Sequence, residues 1–243
     1  MKLTTFIICA AVWVAAAASD ETVCLVVVST EKRPQIVYDT IESFERYNTY
    51  PLHQRVLVSD SYHNVTYLHR LRHNRRWTVV LSYVAGEGRY KRYLGFIDHV
   101  YHRVLKPDCV WVFFMEDDFR WVKSGFIELT MKVTREHYDD MTMFVPMSLK
   151  WSKKYDRKKG IHSTNNVSWV WSRRRRGIWG GFTFHPHLMH LKTRYYGDLK
   201  GSFARWRSEA ALSRYFMGRN MYTAAAHNTT YAHHVGRSTW GKG

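Results

Sequence analysis

Cysteine is scarce in this 243-residue chain: three occur, Cys9, Cys24 and Cys109, and no two form a C-x-x-C pair. That excludes a disulfide-dense scaffold and a zinc or redox site built from cysteines. Carboxylates are scarce as well, 20 Asp and Glu against 37 Lys and Arg, for a formal net charge of +17. Such a field favours anionic partners such as phosphates, sulfated glycans or nucleic acid, and leaves the fold open. RNP, KH and zinc-knuckle patterns are missing, so nucleic acid is not an expected partner. After the first nineteen residues no run is long and apolar enough to span a bilayer. Internal repeats are absent, and the tract Arg173 to Arg176 is the one low-complexity stretch. What is plentiful is apolar surface, 45% hydrophobic and 16% aromatic residues, which calls for a folded body the size of an enzyme.

Residues 1–19 combine Lys2, an apolar run over 6–18, and Ala17 and Ser19 at the −3 and −1 spacing of a cleavage site. They read as a secretory signal peptide, with an uncleaved signal anchor as the rival, and residues 20–243 as one domain in the secretory lumen or outside the cell. Three sequons begin at Asn64, Asn166 and Asn228. In a eukaryotic secretory route they are glycan acceptors, and in a bacterium they are inert. An oxidising compartment permits a bond between Cys24 and Cys109, and two buried thiols are the alternative.

The run 22–29, TVCLVVVS, is continuously apolar and β-branched, as a strand buried on both faces requires. Ile36, Val37, Thr40, Ile41 and Phe44 follow at helical spacing. Further strands are expected at 55–59, 78–81 and 109–115, separated by helices over 63–74 and 90–105. Later come a strand at 141–147, a basic Trp-rich loop, a Gly-Gly turn and a helix over 203–217. Alternating strands and helices make an α/β fold with a mostly parallel, Rossmann-like sheet and helices on both faces. Ligands in such sheets bind beyond the carboxyl ends of the strands. Residues 20–120 read as the nucleotide-binding half and 121–243 as the acceptor half.

The apolar strand of Val110 to Met115 ends abruptly in Glu116, Asp117 and Asp118. Packing does not require three carboxylates there. In extended backbone Glu116 and Asp118 share a face and can hold one hard divalent cation, while Asp117 points elsewhere, toward a sugar hydroxyl. An acidic turn capping the next helix is the plainer alternative. His185, His187 and His190 form an H-x-H-x-x-H string beside Pro186, read as packing and acceptor contacts rather than zinc. Arg173 to Arg176, with Trp169 and Trp171 before them, suit phosphate, sulfate or sugar rings, and equally a solvated loop or a protease processing site.

In the order and spacing of these segments the chain resembles the GT-A-type nucleotide-sugar glycosyltransferases, in particular the large inverting group called family 2. Thr30-Glu-Lys-Arg33-Pro34 resembles the loop after the first strand, with Lys32 where Asn is usual. Asp60 stands at the acidic position that contacts base or ribose. Arg92-Tyr93-Leu94-Gly95 resembles an Arg-Asn-x-Gly block, with Tyr93 in place of Asn. Glu116-Asp117-Asp118 fills the slot of the D-x-D metal motif, Gly180 and Gly181 open a segment like the acceptor-side Gly loop, and Tyr231 to Gly236 resembles a C-terminal segment that adds a histidine ligand. The resemblance implies Mn²⁺ or Mg²⁺ on Glu116, Asp118 and His234, with His233 the weaker ligand. It implies a UDP- or GDP-linked donor contacted by Thr30, Arg33, Asp60, Arg92 and Glu116, and a carbohydrate or glycoconjugate acceptor at Gly180 and Gly181. Glu209 is then the general base, with Asp198 in reserve, and inversion at the anomeric carbon is implied by the resemblance alone.

A metal stabilises the departing diphosphate as a Lewis acid, and a carboxylate takes the acceptor's proton. The positive charge favours an acidic acceptor. Two other functional classes stay open on sequence: a non-enzymatic polyanion- or glycan-binding protein, and a transferase fold that has lost catalysis. For Glu209 the plain reading is a first-turn glutamate favoured by the helix dipole.

Overall fold

The computed structural model of the chain describes residues 22–29, 34–59, 71, 76–81, 95, 97–148, 160–172, 182–191 and 208–235. Strand β1 (Val23–Ser29) is buried along its whole length and forms the spine. Its parallel neighbours are β2 (Leu52–Ser59) and β4 (Trp111–Glu116), and β3 (Thr78–Leu81) adds to β2. Four-residue to eight-residue runs rich in Val, Leu and Phe suit strands covered on both sides.

The sheet continues through β9 (His187–His190), β6 (Met141–Val145), β10 (Tyr222–Ala226), β8 (Val167–Trp171) and β7 (Ile161–Thr164), giving nine strands in the order β3-β2-β1-β4-β9-β6-β10-β8-β7. β8 and β9 run against the rest, and the others share one direction. Among the described residues this is the mixed, mostly parallel α/β sheet that the alternation of elements predicts. A separate two-stranded ribbon pairs β5 (Phe119–Trp121) with β11 (Ala232–His234).

Side-chain alternation assigns the two faces. Val23, Leu25 and Val27 of β1 lie in one apolar cluster with Val37, Ile41 and Phe44 of α1 (Pro34–Tyr47) and Ile127, Met131 and Val133 of α2 (Phe126–Glu136). Val26 and Val28 lie in the other, with Ile97, Val100 and Tyr101 and with Leu212 and Phe216 of α3 (Glu209–Gly218). Helices thus cover both faces, as the sequence implies. α2 begins after Gly125, whose φ of 81° is a conformation that glycine adopts without the Cβ penalty.

Several elements differ from the sequence reading. The Trp-rich stretch is in part a β-hairpin: Asn165 and Asn166, at φ 51° and 60°, form a two-residue turn between β7 and β8. Its Trp169 and Trp171 are buried rather than displayed. The histidine string supplies an interior antiparallel strand, β9, in place of a loop. The helix expected over 90–105 ends in π-helical geometry at Val100–Val104, where Leu105 N–H donates to Val100 O at 2.9 Å. Most of the helix expected over 63–74 lies outside the described residues.

Cys24 and Cys109 are disulfide-bonded, with Cα atoms 5.9 Å apart and a separation of 85 positions in sequence. The bond ties β1 to the chain entering β4 and resolves the choice that the sequence left open. A closed loop of that length stabilises the fold by on the order of 4 kcal/mol in the chain-entropy account. Replacing both residues, Cys24→Ala with Cys109→Ala, is expected to lower the unfolding free energy by about 2–5 kcal/mol in urea titrations. An unchanged midpoint would remove the bond from any part in stability.

Candidate functional site

β4 is central, and its carboxyl end is where an α/β sheet presents ligands. The strand's pleat runs through Glu116, which is in register with Val28 and half-buried. There the extended backbone stops, because Asp117 and Asp118 form a turn into β5. The alternation that would place Glu116 and Asp118 on one face therefore has no strand beneath it past Glu116. Asp117 and Asp118 are 2% and 8% exposed, an unusual burial for carboxylates.

The turn is held by α1 from beneath. Thr40 Oγ1 donates to the Asp117 carbonyl at 2.6 Å, and Trp121 N–H donates to Ser43 Oγ at 3.1 Å. Phe44 packs on Phe113, Trp121 and Phe126 with ring centroids 5.9, 5.6 and 5.4 Å apart, and Trp121 stacks on Phe126 at 4.0 Å. β11 completes the arrangement. It runs antiparallel to β5 with His234 opposite Phe119, and Val235 N–H donates to the Asp118 carbonyl at 2.8 Å.

This pairing brings His234 Nε2 to 3.1 Å from Asp118 Oδ2. That contact is a hydrogen bond, and two atoms each about 2.1 Å from one octahedral ion at right angles are also about 3.0 Å apart, so a cation would take the place of the proton the pair shares. Their chemistry, one carboxylate oxygen and one imidazole nitrogen, suits a divalent cation such as Mn²⁺. Among the described residues, no group of three or more His, Cys, Asp or Glu is close enough together to hold an ion. His233 faces Arg120 across the ribbon.

Residues 182–186 form a second wall of contacts that meets this region through Phe119. His185 borders the pair: Phe119 lies 6.0 Å from its ring and 5.2 Å from that of His234. Thr183 Oγ1 and His185 Nδ1 share a hydrogen bond of 2.6 Å. Burial, with repulsion from His234 and against the attraction of Asp118, lowers His185 to a pKa of about 4. His187 also falls to about 4, chiefly by burial, although its Nδ1–H donates to the His185 carbonyl at 2.7 Å. Both rings are thus neutral at pH 7. His187 stacks on Phe114, and His190 meets Trp111 edge-on at 4.5 Å, which is the packing role expected of them.

Glu209 opens α3 behind this wall. Ser208 caps the helix by accepting from Ala211 N–H at 3.2 Å, and Glu209 Oε1 accepts from Phe184 N–H at 2.9 Å. The carboxylate thereby ties α3 to the segment carrying His185. Sequence reasoning named Asp118, His234 and Glu209, and did not anticipate Thr40, Ser43 or the position of His185. A signal for His185 existed in its place between the Gly-Gly pair and β9. Thr30, Arg33, Asp60, Arg92, Gly180, Gly181, Asp198 and the Arg173 to Arg176 tract lie outside the described residues.

No family model matches the chain, and no curated protein matches it in sequence. Among solved structures, a crystal structure of S. aureus TarS is similar at a TM-score of 0.48 and 12% identity, over 86% of this chain and 36% of that one. A second, of S. aureus TarS 1-349, is similar at a TM-score of 0.45 and 10% identity, over 86% of this chain and 59% of that one. The chain therefore spans about a third of the length of the first and less than two thirds of that of the second.

Burial of His187 as a neutral ring gives stability a pH dependence of definite sign. Its pKa is about 4 folded against about 6.5 unfolded, so the unfolded chain binds more protons between those values. Stability is complete above pH 6.5 and is lost as the pH falls toward 4, by on the order of 3 kcal/mol from this group. Urea midpoints measured across that window should show the decline, and His187→Gln should remove this group's share of it while leaving that of His185, which is lowered to the same value. A decline of equal size in the variant would mean that other groups cause it.

Proposed function

We propose that the chain is a glycosyltransferase that moves a sugar from a UDP- or GDP-linked donor to a hydroxyl of a carbohydrate or glycoconjugate acceptor. The observation that carries this reading is the Asp118–His234 pair, 3.1 Å apart and set at the carboxyl end of a central parallel strand. On this reading Asp118 and His234 hold Mn²⁺ or Mg²⁺, with Glu116 beside them. A cation bound there supplies Lewis-acid stabilisation to the diphosphate that leaves.

The chain's own residues do the remaining work. The α1 clamp fixes the 117–121 turn, so Asp118 is oriented before a donor arrives, which reduces the ordering that binding requires. Asp117 contributes through the turn and its carboxylate, next to the place of the sugar. Thr30, Arg33, Asp60 and Arg92 are assigned to the donor and Gly180 and Gly181 to the acceptor, on the sequence resemblance. Glu209, oriented by Phe184 N–H, takes the proton of the acceptor hydroxyl as it attacks. Attack from the face opposite the diphosphate gives inversion. The Cys24–Cys109 bond supports a site of action in the secretory lumen or outside the cell, where such bonds persist.

Titrating UDP and then GDP into the protein with Mn²⁺ is expected to give binding that chelation abolishes and that Asp118→Ala loses at least tenfold. Absence of binding to either nucleotide by folded protein would transfer the weight to the polyanion-binding reading, which the +17 charge favours and which predicts binding that collapses with salt. Once a donor is known, Glu209→Gln tests the base. The amide oxygen still accepts from Phe184 N–H but takes no proton, so kcat should fall by about 10²–10⁴ with nucleotide affinity unchanged. Retained turnover would leave Glu209 a purely structural tie.

A further inference from the structure

We propose that Asn166 and Asn228 carry N-linked glycans, one on the β7–β8 turn and the other on the loop that leads from β10 to β11. This stands apart from the transferase reading and would hold for a binding protein equally.

Both asparagines head sequons, Asn166-Val167-Ser168 and Asn228-Thr229-Thr230, and both are exposed. At the β7–β8 turn the two asparagines have different surroundings. Asn165 Oδ1 accepts from Lys132 Nζ at 2.9 Å and is tied to α2, whereas Asn166 faces solvent. Val167 is buried and Ser168 half-exposed, so the sequon's middle residue packs inward while its asparagine and hydroxyl do not. A need for positive φ explains an asparagine at 166 and says nothing about the serine two residues on. Asn220, at φ 60°, meets the same backbone need with no sequon after it, and Asn228 is a sequon asparagine without positive φ.

At the second position, Thr229 Oγ1 donates to Asn228 Oδ1 at 3.4 Å and Thr230 Oγ1 donates to the Ala232 carbonyl at 2.8 Å. A sugar on Nδ2 leaves Oδ1 as an acceptor, so both bonds survive the modification. In the step itself, Nδ2 attacks the anomeric carbon of a lipid-diphosphate-linked oligosaccharide. The N–C bond forms, the C–O bond to diphosphate breaks, and Nδ2 gives up one proton.

The two positions are neighbours, because His227 N–H donates to the Ser168 carbonyl at 2.8 Å. β7 is five strand steps from β4, roughly 24 Å at ordinary strand spacing, so a glycan on Asn166 leaves the Asp118 region open. It also stands over the sheet's outer edge, where Ile161 is 53% exposed and an unprotected strand would invite pairing with another chain. The Cys24–Cys109 bond independently points to the oxidising compartment in which such transfer occurs.

The test is to express the full chain in eukaryotic secretory cells and map its peptides by mass, before and after an amidase that releases N-linked glycans. The expected result is occupancy at Asn166 and at Asn228. Ser168→Ala should lose one glycan and Asn228→Gln the other, with circular dichroism and the disulfide unchanged. A chain with its disulfide formed but no sugar at either asparagine overturns the proposal. So does a chain retained with free thiols and no sugar, or one whose only glycan is at Asn64.

Discussion

Everything at the carboxyl edge depends on how α1 holds the turn after β4. An apolar strand that ends in three carboxylates has nothing of its own to keep Asp117 and Asp118 buried, since their backbone groups leave the sheet's hydrogen-bond ladder at Glu116. Thr40 and Ser43, one helical turn apart on α1, supply the missing partners: a hydroxyl to the Asp117 carbonyl and an acceptor to Trp121 N–H. Both lie on the face that also buries Ile41 and Phe44. Phe44, Trp121 and Phe126 then make the turn part of the core rather than a loop upon it. A buried backbone carbonyl without its donor costs about 1–3 kcal/mol, which is why hydroxyls rather than aliphatic groups occupy those helix positions. β5 is positioned by this clamp, β11 by β5, and His234 by β11.

The wall carrying His185 is built on a different principle. Its order comes from a chain of polar contacts, Glu209 to Phe184 N–H, Thr183 to His185, and His185 carbonyl to His187. Each link is short and partly or wholly removed from water, so each is more demanding of geometry than a contact of the same length at the surface. Glu209 is thus a strut of the wall and, on the proposed function, also the group that handles the acceptor's proton. A carboxylate oriented by a backbone amide at the start of a helix is well suited to both, because neither task requires it to move.

The half of the fold that was legible in the sequence is the half with local signals. β1 and β4 are continuous apolar runs, and α1 shows three-and-four spacing, so their positions follow from residues close in the chain. The β5–β11 ribbon has no such signal. Its strands are three residues each, and its existence depends on a partner more than a hundred positions away, as the 116-residue separation of Asp118 and His234 shows. The resemblance groups both residues on one ion, while no local signal in the residues themselves foretells their adjacency. β9 was hidden because its alternation is written in His, Leu and Met rather than in β-branched residues. The β7–β8 hairpin was hidden by a reading of tryptophan and positive charge as surface, although Asn-Asn between two β-prone runs is a turn signal. For Glu116 and Asp118 the pleat argument was sound for a strand, and the backbone ceases to be one at Asp117.

Charge is also unevenly distributed along this chain. The described residues include slightly more Asp and Glu than Lys and Arg, so the whole excess behind the +17 belongs to the segments that join them and to the two ends. The most basic internal stretch, residues 149–159, follows β6 directly. The end of that strand is bonded into the neighbourhood of β11: Tyr231 N–H donates to the Pro146 carbonyl, and Ser148 Oγ to that of His227. Ser148, the last described residue before that stretch, is thus placed beside the residues that lead into β11. Charges outside a core act over about 10 Å at 0.1 M salt, and they govern encounter with an anionic partner more than the stability of the fold.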